Sequence, residues 1–64
     1  MHTPTLTDAA AAFAVALIAD HDGATDLAET ARRVTHAYAT GGTVAEEDWR
    51  RVAASHDALC AAMA

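Results

Sequence analysis

His56 and Cys60 stand four residues apart in a stretch free of glycine and proline, so on a helix they share one side. They are the only pair in the chain with metal-ligand spacing. Zinc takes imidazole nitrogen and thiolate readily but wants four donors, a set that two such pairs could supply only across a dimer axis. The same positions also fall on an apolar arc with Trp49, Val52, Ala53, Leu59 and Met63, where a lone cysteine acts as a small hydrophobe. Packing is therefore the first reading, with no metal and no other cofactor. A metal- or pH-responsive regulator using His56 and Cys60 is the alternative.

His21 lies between Asp20 and Asp22, and carboxylate beside imidazole is raw material for acid–base chemistry. A histidine topping the last turn of a helix has an equally good structural reason, since the helix dipole favours it there. No serine or cysteine nucleophile is placed near it by sequence. A chain of this size also leaves little room for a pocket of about 300 Å3. The expectation is a protein that is not an enzyme.

Two basic doublets, Arg32–Arg33 and Arg50–Arg51, could grip phosphates or a carboxylate. Each has acids one turn upstream, Glu29 for the first and Glu46 with Glu47 for the second. Intrahelical ion pairs on a solvated face are the default for that spacing. A helix-turn-helix built from the second and third helices would place Glu46, Glu47 and Asp48 at the phosphate backbone, which repels them. The net charge of −5, from nine acids against four arginines and no lysine, argues the same way. Neither direct nucleic-acid binding nor adsorption to an anionic membrane is expected.

The elements that hold these residues are helical. Nothing alternates with the period of a strand, and 19 of the 64 residues are alanine, the best helix former. Thr5 or Thr7 can cap a first helix over about 8–21 that ends at Gly23. A second, over about 26–40, opens near Thr25 or Asp26, with Asp26 and Glu29 spaced as a capping box, and stops at Gly41–Gly42. A third, over about 44–63, has Thr43 and Glu46 at capping-box spacing, then Glu47 and Asp48 in its first turn. MHTPT reads as an extended lead-in. The spacing predicts one domain, residues 1–64, as a small all-α three-helix bundle with short connections, which dimerisation would complete.

The second and third helices are one-sided, with Leu27, Ala31, Val34 and Tyr38 forming the stripe of the second. The first is not. Residues 9–19 form an 11-residue apolar run, too short to span a bilayer, and the positive n-region of a signal peptide is missing before it. A cytoplasmic chain follows, and the arginine-for-lysine, alanine-rich composition suggests a bacterial or phage genome. Leu6, Phe13 and Leu17 form one stripe of the first helix, while Val15 and Ile18 point well away from it. Two short helices can cover only one side, so the other is left as a contact patch. Ala11, Val15 and Ile18 are the residues expected to mediate self-association in a homodimer. With one cysteine there is no intrachain disulfide, and small domains without a staple often rely on a partner.

The functional expectation is a small acidic interaction or regulatory protein that binds a surface of a larger protein or complex. Glu46, Glu47, Asp48 and Asp57 would face a basic partner surface, and Trp49 would anchor the core. A more specific form is a phage-type anti-defence inhibitor or an antitoxin. Its carboxylates would block a nucleic-acid-handling complex by charge mimicry.

Overall fold

A computed structural model describes all of residues 1–64 as three helices: α1 (Leu6–Asp22), α2 (Thr25–Thr40) and α3 (Glu46–Met63). The all-α three-helix bundle is shown, without strands. Thr5 caps α1 reciprocally: the Asp8 amide donates to Thr5 Oγ1 at 3.2 Å, and the Thr5 amide donates to Asp8 Oδ2 at 3.0 Å. Thr5→Ala is expected to lower stability by about 1 kcal/mol, read as a shift of the urea midpoint with unchanged slope.

Gly23 and Gly41 both take the left-handed conformation, with φ of 77° and 72°. In each case the following amide reaches back to a carbonyl of the last turn, Ala24 to Ala19 and Gly42 to Ala37, both at 2.8 Å. These are Schellman closures, which need a residue without a Cβ penalty at positive φ.

The capping boxes expected for α2 and α3 do not form. Ala24 and Ala45 occupy the two N-cap positions, and neither has a side-chain cap. The chain turns into α2 so soon after Gly23 that Thr25 and Asp26 already lie in its first turn. Ahead of α3, Val44 exchanges both backbone hydrogen bonds with His2, at 2.8 and 2.9 Å. That pairing keeps residues 44 and 45 out of the helix, so α3 starts at Glu46, two residues later than its sequence signal.

The core is built from small side chains. Ala12, Val15 and Ala16 of α1 meet Ala31, Val34 and Ala37 of α2, with Val44 and Val52 closing the cluster. Leu27, Trp49 and Leu59 pack around its edge half-buried, so Trp49 flanks the core and does not anchor it. The α1–α2 contact is the larger of the three interfaces, and α3 contributes one fully buried residue, Val52. Alanines on both sides let two helix axes approach closely, and Val15, Val34 and Val52 fill the centre.

Candidate interaction surface

This packing turns α1 the opposite way from the sequence expectation. Val15, assigned to the outer patch, is 1% exposed in the core, and Ala11 is half-buried beside it. Only Ile18 of that trio reaches the surface, at 39%. The open face carries the large side chains instead: Leu6 at 67%, Phe13 at 55% and Leu17 at 57% exposure. The physical reason lies in the facing helix. Ala28, Ala31 and Ala37 of α2 leave a shallow surface that accepts alanine and valine closely, whereas leucine and phenylalanine would hold the helices apart. One side of α1 is uncovered, as its sequence requires, and it is the bulky side.

At the N-terminal end of α1, residues 1–5 form a strap that the sequence reading left as a plain lead-in. The His2 ring lies flat on Trp49, with centroids 4.5 Å apart and planes within 4°. Its Nε2 is 2.9 Å from Asp8 Oδ2. One residue thus ties the α2–α3 connection, α3 and the first turn of α1 together. The signal available in sequence was faint, a histidine six residues before the helix-opening aspartate.

Asp8 is held below the ordinary carboxylate range. The largest cause is the hydrogen bond from the Thr5 amide; partial burial opposes it, and the His2 ring and Thr5 hydroxyl support it. A carboxyl whose folded pKa is lowered stabilises the fold fully above its unfolded pKa of about 3.9. It loses that contribution as pH falls through the lowered folded value. Acid titration of stability is therefore expected to show a loss setting in below about pH 4 that Asp8→Asn reduces. An unchanged acid limb in Asp8→Asn would remove Asp8 from that role.

Arg32 and Arg33 pair with acids on neighbouring helices and not within α2. Arg32 Nη1 meets Asp20 Oδ2 at 2.7 Å, joining α2 to α1, and Arg33 Nη2 lies 3.6 Å from Asp48 Oδ2 on α3. The Glu29–Arg33 pair is replaced by that longer reach. Thr30, buried within α2, donates to the Asp26 carbonyl at 2.8 Å. Its oxygen accepts from Arg33 at 3.2 Å and from Arg51 of α3 at 3.5 Å. Sequence reasoning missed this hydroxyl, which leaves no buried side-chain polar atom unpaired.

The acids proposed for a basic partner do not form one uniform patch. Glu46, Glu47 and Asp57 are exposed, but Asp48 is half-buried and engaged with Arg33. Cys60 is also exposed, contrary to its place on an expected buried arc, because α3 beyond Leu59 has nothing packed over it. Cys60 Sγ lies 3.8 Å from His56 Nε2 and 3.9 Å from Nδ1. No third His, Cys, Asp or Glu side chain joins them in a group that could hold a metal ion.

Surface basins are larger than expected from chain length, at about 350 and 420 Å3. The first includes Arg33, His36, Thr40, Thr43 and Asp48. Its Thr40 hydroxyl is spent on the carbonyls of His36 and Ala37, at 3.0 and 3.4 Å, so it is not poised toward a base. Next to Asp20, whose carboxylate is taken by Arg32, His21 is exposed on the last turn of α1. An apolar groove of about 210 Å3 between Val15, Ile18, Leu27 and Leu59 borders the open face of α1.

No helix of the chain is long and apolar enough to cross a membrane. No protein-family model, curated protein or solved structure matches the chain.

Proposed function

We propose that this is a small acidic, non-enzymatic interaction protein whose working surface is the outer face of α1. The observation that carries the reading is that Leu6, Phe13 and Leu17 stand more than half exposed along one side of a well-capped helix. Contiguous apolar surface of this kind on a small domain marks a contact site. The exposed acids Glu46, Glu47 and Asp57 lie apart from that face on α3 and would suit a basic surface on the same or another partner.

The test is capture from native lysate with the tagged full chain, comparing wild type with Phe13→Glu and with Glu47→Lys at low and high salt. Phe13 is exposed, so its substitution is expected to leave the helix content unchanged while abolishing the captured set. Capture by the wild type is expected to persist at high salt, because apolar docking is not screened. A captured set that survives Phe13→Glu but disappears with Glu47→Lys or high salt would assign the contact to the acids and support the charge-mimicking inhibitor instead.

A further inference from the structure

We infer that the occupant of the α1 face is a second copy of this chain, with the two α1 helices antiparallel about a two-fold axis. The inference rests on reading that face as a docking surface and specifies what docks there. Leu6, Ala10, Phe13 and Leu17 are spaced by four, three and four residues. That is the seam of two helices packed side by side. Leu6, Phe13 and Leu17 are the most exposed large side chains of α1, ahead of Ile18, and Ala10 is exposed between them.

The order of sizes along this seam is self-complementary in one orientation. When the helices run antiparallel, Leu6 faces the partner's Leu17 and Ala10 faces the partner's Phe13, each bulky ring meeting a methyl group. In a parallel pair, Phe13 would face the partner's Phe13 and Ala10 the partner's Ala10, a crowded layer beside an empty one. A two-fold interface uses the same patch on both subunits, and this pattern satisfies that requirement. Antiparallel helices also oppose their dipoles favourably.

Charge permits the approach of two copies of net charge −5. Between Leu6 and Ile18 the only acid is Asp8, half-buried and held by His2 and Thr5. At the far end, Asp20 is paired with Arg32. Among the exposed acids, Asp20 and Asp22 lie at the C-terminal end of α1 beyond the seam, and Asp26, Glu29, Glu46, Glu47 and Asp57 belong to the other helices. The largest apolar patch on a typical monomer is about 300–600 Å2. Two patches within that range bury no more than about 1,200 Å2 together, the lower limit for standard complexes, so a reversible dimer with micromolar dissociation is expected.

Sedimentation equilibrium of the full chain, in a Cys60→Ser background that excludes disulfides, tests this. A monomer–dimer equilibrium is expected in the micromolar range. Ala10→Phe alone and Phe13→Ala alone should each weaken it at least tenfold, by crowding and by a void. The double variant Ala10→Phe/Phe13→Ala should restore it, because the exchange keeps a large side chain opposite a small one across the antiparallel pair. A wild-type dimer without rescue in the double variant would overturn the register. A wild type that stays monomeric to millimolar concentration would overturn self-pairing. In that second case, a lysate capture lost with Phe13→Glu would leave the docking surface standing, and a capture unaffected by it would remove both.

Discussion

Ala31→Leu is expected to collapse the stability of the protein, with a drop in Tm of more than about 10 °C. Ala31 has no exposed surface and lies where α1 and α2 meet. Three additional carbons there must push the helices apart or force strained rotamers, at about 1–3 kcal/mol or more. A chain of this length has only about 3–10 kcal/mol of stability in total. Leucine would be the more hydrophobic and equally helix-compatible choice if burial alone governed the site, so the sign of the effect isolates close approach as the cause. Leu17→Ala removes a larger side chain but from an exposed position, and its effect on monomer stability should stay within about 0.5 kcal/mol. Thermal denaturation of both variants by circular dichroism at low concentration checks the pair. A stabilised Ala31→Leu would contradict the alanine-packed core.

Val52→Asp should detach α3. Val52 is that helix's one fully buried side chain, with only half-buried Trp49 and Leu59 flanking it on the core. A carboxylate placed there has no partner, and an uncompensated buried charge costs on the order of 3–5 kcal/mol. That approaches the whole stability of the domain. Trp49 would lose its stack with His2 as α3 leaves, so its emission should shift to the red while much of the far-ultraviolet helical signal remains. Unchanged tryptophan emission and an unchanged melting curve would show that α3 is docked by something other than Val52.

Helix number and approximate limits are legible from glycines and alanines. Gly23 and Gly41 end helices because they alone enter the left-handed region, and nothing else in the chain forces a break. The start of α1 is legible from Thr5, whose reciprocal capping partner Asp8 stands three residues on. The start of α3 is not legible. Thr43 and Glu46 have the right spacing, but a long-range pairing between His2 and Val44 overrides that local signal. Sequence spacing does not disclose such contacts.

The surface was half legible. An apolar run of 11 residues in a chain this short cannot be enclosed, and that much follows from counting. Which side stays open does not follow from hydrophobicity, which favours burying Leu6, Phe13 and Leu17. It is decided by the shape of α2, whose alanines admit only a slim face of α1. Arg32 and Arg33 carry the same lesson. Their intrahelical acids were in register, yet Asp20 and Asp48 on neighbouring helices hold them, because the bundle brings those carboxylates nearer.

The orientation of α1 is the claim on which the surface, the proposed contact and the paired seam all depend. Thiol labelling at high dilution tests it most directly, comparing Val15→Cys with Leu17→Cys in a Cys60→Ser background. Position 15 should be protected at least a hundredfold relative to the denatured chain, and position 17 should react almost as fast as a free thiol. A reactive position 15 beside a protected position 17 would mean that the helix is turned the other way.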